Sequence, residues 1–483
     1  MVFSSLTFLY YFLPAVLIVY IMLPNRITVN GIKIKGSPLV IPARNLLILI
    51  SGLFFYAWGE PKYVWIMIIS TLIDYTAGRL IDRFDDSPKK RTAFLLVSVI
   101  MNLGLLAVFK YSSFIITNIN GIFGLGIPDP KLSLPIGISF YTFQSMSYTI
   151  DLYMRKIKVQ KSLIGFTSYV TLFPQIVAGP IVRYEDVAAE IEERTVNIGK
   201  ISEGIGKFVK GLAKKVLLAN NIGIIWTQVK AMDYGEISAA TAWLGILAFT
   251  FQIYFDFSGY SDMAVGLGKM LGFNFPKNFD HPYMSKSVSE FWRRWHITLG
   301  TWFREYVYIP LGGNRKGIGK TVRNLLIVWG LTGLWHGASW NFLLWGVYFG
   351  ILIVIERFGW GKVLEKLPAP ISMLYTFLIA VFGWVLFDTA TLTDAWNYIR
   401  AMFGAGGAFA DSTSSYIFTS NAIVYALCIF ASTDIFGKLV KLLRKKRRKL
   451  AEYAAPVAMV CVLLLCTAYL VDATYNPFLY FRF

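Results

Sequence analysis

Apolar residues are gathered into long stretches separated by basic segments, and that pattern governs the reading of the whole chain. A helix needs about twenty mostly apolar residues to cross the hydrocarbon core of a bilayer. Such stretches occupy 6–23, 45–59, 63–81, 92–116, 132–153, 163–182, 238–255, 257–272, 324–355, 370–388, 420–440 and 454–472. The stretch 45–59 is short, and 163–182 contains Pro174 and Pro180, so both are expected to be tilted, broken or re-entrant. The first residues carry no basic segment ahead of the apolar run and no small-residue cleavage site follows it, which predicts a retained first helix. The predicted fold is an all-α polytopic membrane protein in a single domain, residues 1–483. Ten to twelve transmembrane helices are expected, with re-entrant and interfacial helices beside them.

The polar segments set the expected orientation. Residues 24–44 carry Arg26, Lys33, Lys35 and Arg44 without an acid, and 441–449 carry a dense basic run. Basic loops stay on the cytoplasmic side, so both termini are expected outside. Two longer segments remain. In 183–236, Lys207, Lys210, Lys214 and Lys215 alternate with Ile205, Phe208, Leu212 and Val216, which predicts an amphipathic helix lying on an anionic surface. Residues 273–323 are aromatic, basic and rich in Pro and Gly, too polar to span easily.

Composition agrees with a chain folded in lipid. Of 483 residues, 56% are hydrophobic and only 16% charged, and the mean hydropathy is +0.55. These values exclude a disordered chain, a disulfide scaffold and an ordinary soluble enzyme. The net charge of +19 lies between apolar stretches, as cytoplasmic loops require, so no nucleic-acid partner is expected. Cys428, Cys461 and Cys466 sit in apolar stretches and read as small core side chains.

Candidate chemistry is confined to three histidines, the one side chain that titrates near neutrality when unperturbed. His336 lies in Gly333-Leu-Trp-His-Gly-Ala-Ser-Trp340, within an uncharged stretch, 324–355, that would make one helix about 48 Å long. The glycines predict a break there, leaving His336 at membrane depth, either hydrogen-bonded between helices or facing substrate. His296 sits in Phe291-Trp-Arg-Arg-Trp-His296 among basic and aromatic neighbours, as in an aromatic belt or a mouth for an anionic group. Arg293, Arg294, Arg304 and Arg315 could engage phosphate through their planar forks. His281, before Pro282, reads as a turn residue. Asp256 and Asp262 interrupt an apolar stretch and want partners, for which the arginines are candidates. Asp74 with Arg79, and Gln175 beside Pro174, pose the same question. No metal-ligand cluster is present in the sequence, so no metal is expected.

Several long motifs in order resemble the membrane-bound O-acyltransferase family, in its alginate-type polysaccharide O-acetyltransferase branch. They are Met1–Ser5, Phe55–Pro61, Leu134–Gln144, Phe173–Pro180, Asp256–Asp262, Phe291–Arg304, Tyr308–Arg315 and Leu334–Gly337. The resemblance implies helices around a central tunnel in the cell membrane, with catalytic roles for His336 and His296 and supporting roles for Asp256, Asp262, Trp335 and Gln175. It also implies acetyl-CoA as co-substrate with no permanently bound cofactor, a polysaccharide acceptor, and an extracytoplasmic serine-hydrolase-like partner. Two alternatives stay open: D-alanyl transfer to teichoic acid from a carrier-protein thioester, and transport of a polysaccharide precursor.

Overall fold

The computed structural model describes residues 1–34, 37–472 and 479, and the side chains of these except 29–34, 37–39, 444 and 449–451. Lys35, and the side chains of Lys33, Arg444 and Lys449, therefore lie outside the described residues. The chain forms two compact units, Met1–Phe208 with Asp262–Pro276, and Val209–Ser261 with Lys277–Phe483. It is almost entirely helical, as the apolar pattern predicts.

In the first unit, helix α1 (Phe8–Met22) leads into a two-stranded hairpin, β1 (Ile27–Ile34) and β2 (Ser37–Ile41). The expected basic loop is thus an antiparallel ribbon, paired from Ile27 opposite Ile41. Helices α2 (Ala43–Gly59), α3 (Val64–Arg83) and α4 (Pro88–Phe123) follow. Then come α5 (Ile138–Tyr153), α6 (Leu163–Val170) and α7 (Tyr184–Glu192). Phe8, Phe12, Phe55 and Phe173 pack ring to ring. At Gly52, an added Cβ would stand 1.7 Å from the Thr171 carbonyl oxygen, so only glycine lets α2 pass there. Asp74 is buried and accepts from Ser98 Oγ at 2.6 Å and Asn102 Nδ2 at 2.7 Å, tying α3 to α4. Its expected partner, Arg79, points outward. A neutral hydrogen-bonded seat replaces an ion pair. The stretch 163–182, read as an interrupted span, forms α6, buried from Ser168 to Val170, and the buried single turn Phe173–Ile176.

Helices α8 (Ile198–Ala213) and α10 (Ala239–Met270) contribute to both units, with α9 (Asn220–Lys230) between them. The expected spans 238–255 and 257–272 are one continuous helix of 32 residues. Asp256 does not break it, because Lys215 Nζ lies 2.5 Å from Asp256 Oδ1 and the Leu479 amide donates to Oδ2 at 2.9 Å. This corrects two expectations at once. Lys215 is buried rather than lying on a lipid surface, and the partner of Asp256 is a lysine rather than an arginine.

The second unit continues with α11 (Val288–Arg294), α12 (Ile297–Phe303), α13 (Ile318–His336) and α14 (Trp340–Ile355). It ends with α15 (Ala369–Asp388), α16 (Leu392–Met402), α17 (Ser412–Ala431) and α18 (Arg448–Asp472). Its core is aromatic, with Trp226, Phe249, Trp345, Phe349, Trp384 and Tyr398 all buried. Helices α14 and α15 run antiparallel: Asn341 Nδ2 donates to the Thr389 carbonyl and Tyr348 OH to that of Ile379. Cys428 and Cys466 are buried as expected, whereas Cys461 is exposed.

Among the described residues, seven helices are long and apolar enough to cross a membrane. They are α3, α4, α10, α14 with its continuation to Lys366, α15, α17 and the Glu452–Asp472 part of α18; α1 and α2 are shorter apolar helices. The protein is a multi-pass membrane protein.

Removing one member of a buried ion pair strands the other charge, at a cost of about 3–5 kcal/mol, whereas replacing both by apolar groups is often neutral. Lys215→Met is therefore expected to lower the melting temperature of the protein in lipid, and Lys215→Met with Asp256→Leu to recover most of the loss. Equal melting of the single variant and wild type would show that the pair carries no structural load.

Candidate active site

The break expected within 324–355 from its glycines falls at 337–339, so α13 and α14 form a helical hairpin with His336 as the last residue of α13. Glycine makes this hairpin close. An added Cβ at Gly333 would meet the Phe342 carbonyl oxygen at 2.2 Å, and one at Gly346 would meet that of Trp329 at the same distance. Small residues let helix backbones approach in this way. Ser339 caps α14 by accepting from the Phe342 amide, which occupies its hydroxyl in structure. His336 is buried against three rings, Trp335 at 5.0 Å, Trp345 at 5.1 Å and Phe387 at 5.2 Å between centroids.

His296 is held differently. It precedes α12 in the left-handed region, with φ 45° and ψ 51°, which a residue other than glycine adopts at a cost of order 1–3 kcal/mol. Asn278 maintains that conformation. Its side-chain oxygen accepts from Thr298 N at 3.2 Å and Thr298 Oγ1 at 2.9 Å, and its own carbonyl accepts from Ile297 N at 3.0 Å. The Thr298 amide can only donate, so the atom facing it is Oδ1, and His296 Nδ1, 3.2 Å from that oxygen, carries the ring proton. Nε2 keeps its lone pair. It is buried and has no hydrogen-bond partner among the described residues. Burial pushes the His296 pKa from 6.5 down to about 3, so the ring is neutral at physiological pH.

A cavity of about 480 Å³ lies against His296, with Arg293, Arg304 and Tyr308 in its wall. Leu325, Val328, Trp329 and Thr332 line it from α13. His336 is the next residue on that face, one turn beyond Thr332 and about 6 Å further along the axis. Between the two histidines stands Trp335, its ring 5.9 Å from that of His296.

The arginines divide. Arg293 also lines a neighbouring cavity of about 680 Å³, together with Lys286 and Arg357. Arg304 is paired with Glu305 at the rim. Arg294 is committed to Glu290 at 2.6 Å, and Arg315 is exposed and lines neither cavity. Asp256 belongs to the ion pair with Lys215. Asp262 is half-buried and Gln175, buried, donates to the Tyr169 carbonyl; both belong to the first unit. His281 is a turn residue, its Nδ1 3.2 Å from Asp280 Oδ1. Asn278, Trp329 and Thr332 carry no sequence signal of a site, and Tyr308 is marked only as the first residue of the Tyr308–Arg315 motif. They are recruited by contacts between segments distant along the chain.

Residues 69–387 match the profile of MBOAT, the membrane-bound O-acyltransferase family. The chain is 38% identical to the probable alginate O-acetylase of Azotobacter vinelandii, over 90% of this chain and 85% of that protein. It is 37% identical to the probable alginate O-acetylase of Pseudomonas putida over the whole of both. The peptidoglycan O-acetyltransferase of Helicobacter pylori is 33% identical, over 75% of this chain and 74% of its own.

Asparagine tolerates the left-handed region better than alanine does. His296→Asn should therefore melt closer to wild type than His296→Ala, a difference thermal unfolding resolves. The depressed pKa also has a sign. Between pH 6.5 and about 3 the unfolded chain binds a proton at His296 that the folded chain does not. Stability should fall as pH drops through that window, and the fall should be shallower in His296→Asn. Superimposable pH profiles for the two proteins would contradict a buried neutral ring.

Proposed function

Because the chain belongs to the membrane-bound O-acyltransferase family and is an acyltransferase, we propose that it takes an acetyl group from cytoplasmic acetyl-CoA for O-acetylation of an exported polysaccharide such as alginate. The observation that carries this reading is the pair of cavities sharing Arg293, one polar and lined by Lys286, Arg293 and Arg357 with Glu290, Glu356 and Glu365, the other walled by His296 and reaching Thr332, one turn short of His336 on α13. An anionic nucleotide cannot cross hydrocarbon, whereas an acetyl thioester on a slender arm can reach inward. Arg293, with Arg304 at the rim, suits the phosphates. His336 is the general base. Its imidazole takes the acceptor hydroxyl proton as that oxygen attacks the thioester carbonyl; the C–S bond then breaks and the proton passes to the departing thiolate. His296, a neutral acceptor at Nε2, orients the donor. A serine-hydrolase-like partner outside the membrane completes delivery to the glycan. Similarity to two alginate O-acetylases and a peptidoglycan O-acetyltransferase supports acetyl over D-alanyl transfer.

Acetyl-CoA turnover by the purified protein in lipid, with candidate acceptors and partner, tests this. Wild type is expected to turn over, a folded His336→Ala to lose turnover, and Arg293→Gln to raise KM for acetyl-CoA about tenfold. Undiminished turnover in folded His336→Ala removes the base. Indifference to acetyl-CoA with transfer from a charged carrier protein moves the assignment to D-alanylation.

A further inference from the structure

The apolar and basic faces expected in 183–236 recur in a helix of the second unit. Ile435–Lys446 forms 12 residues of helix between two membrane-crossing helices, α17 and the Glu452–Asp472 part of α18. Consecutive spans leave the segment that joins them on one face of the membrane, so this helix begins and ends at that face. Ile435, Phe436, Leu439, Leu442 and Leu443 follow helical spacing and form one stripe. Each is between 46 and 58% exposed, so the described residues cover the stripe only in part.

Lys438, Lys441 and Lys445 lie on the other side. Lys438 is taken by Asp434 at 2.9 Å. Lys441, Lys445 and Lys446 are exposed and make no ion pair among the described residues. From Ile435 to Ala451 the sequence has eight basic residues and no acid. The charge on offer therefore calls for an anionic partner.

The way the stripe joins its surroundings identifies that partner. The ring of Phe436 meets that of Phe430, near the end of α17, edge to face at 6.3 Å. Phe430 is exposed too, as are Leu427 and Ile423, one and two turns before it on α17. The stripe thus continues the side of a spanning helix that faces lipid tails, and a bilayer covers both at once. A helix with one apolar and one basic face lies in this way at the acyl boundary, its lysines reaching headgroup depth. Basic loops stay on the cytoplasmic side, whose leaflet carries a negative surface potential. We propose that Ile435–Lys446 is an anionic-lipid site, with the stripe seated at the acyl boundary and Lys441, Lys445 and Lys446 holding negatively charged phospholipid headgroups. None of these residues lines the cavities beside His296, so the site stands apart from the acyl-transfer reading.

The full chain in detergent is titrated with phosphatidylglycerol and with phosphatidylcholine of the same acyl chains, and retained lipid is counted by native mass spectrometry. Wild type is expected to hold the anionic lipid about tenfold more tightly. Lys441→Gln with Lys445→Gln should cut that preference by about fivefold, the factor that one basic residue contributes near an anionic surface. Lys441→Arg with Lys445→Arg should keep it, because the charge stays. Lys89→Gln with Lys90→Gln removes the same charge at exposed positions of α4 and should keep it as well. Leu439→Gln with Leu443→Gln should weaken both lipids, because the stripe no longer seats the helix. Thermal melting confirms that each variant is folded. No preference in wild type, or an undiminished one in Lys441→Gln with Lys445→Gln, would overturn the site. An equal loss in Lys89→Gln with Lys90→Gln would overturn it too, assigning the preference to net charge. Unchanged binding of both lipids in Leu439→Gln with Leu443→Gln would give the stripe to another occupant, such as an acidic protein, and would also overturn it.

Discussion

A backbone amide or carbonyl out of reach of water must find a partner within the chain, and the helix satisfies it locally. Irregular backbone is therefore affordable only where another group takes over the hydrogen bonds. In the second unit the helical course is interrupted beside both candidate histidines. At 337–339 the hydroxyl of Ser339 caps the new helix. At His296 the carboxamide of Asn278 and its carbonyl hold the following amides. The break at His296 turns its imidazole out of the helical row and is supported by Asn278 from outside the helix, whereas His336 closes the last turn of α13 and Ser339 starts the next helix.

Buried charge obeys the same accounting. Asp256 is offset by Lys215 and the Leu479 amide, Asp388 by Lys230 and the indole of Trp226, and Asp74 by a hydroxyl and an amide. None of the three acids is left to a neighbouring arginine. Paired ions of this kind define which helices pack together more than they raise stability, because desolvation consumes most of the attraction. The consequence for chemistry is that Asp256, although it interrupts an apolar run, belongs to the packing of α10.

Much of this was readable beforehand. Apolar runs of spanning length, the glycines around His336 and the density of Trp and Arg before His296 are local features, and local features survive folding. The helix break at Gly337 and the grouping of Arg293 with His296 follow from them. What was hidden lies in tertiary pairing. Lys215 reads as one lysine among four on a basic face, and only the approach of α10 buries it. Glu290 has both Arg293 and Arg294 within one turn, and only the fold shows that it pairs with Arg294 and leaves Arg293 to the cavities. The hairpin at Ile27–Ile41 was hidden by Lys33 and Lys35 and the flanking Arg26 and Arg44, although its β-branched residues favour strands.

Three acids, Glu290, Glu356 and Glu365, share the wall of the cavity that Arg293 lines with Lys286 and Arg357. Glu356 is buried in the wall that also carries Lys286, Arg293 and Arg357, where a free carboxylate would repel an anionic donor. It is not free. Its oxygens accept from Val288 N at 2.7 Å and from Ser289 N and Oγ at 2.9 Å, all at the first turn of α11. A helix N-terminus carries roughly half a positive charge, so the carboxylate and the helix end offset each other locally. Glu290 is likewise taken up, by Arg294 at 2.6 Å, which leaves Glu365 in the wall with Lys286, Arg293 and Arg357. The same three hydrogen bonds join the end of the His336 hairpin to the helix that carries Trp292 and Arg293 and leads to His296. One carboxylate thus ties the far end of that hairpin to the helix that leads to His296.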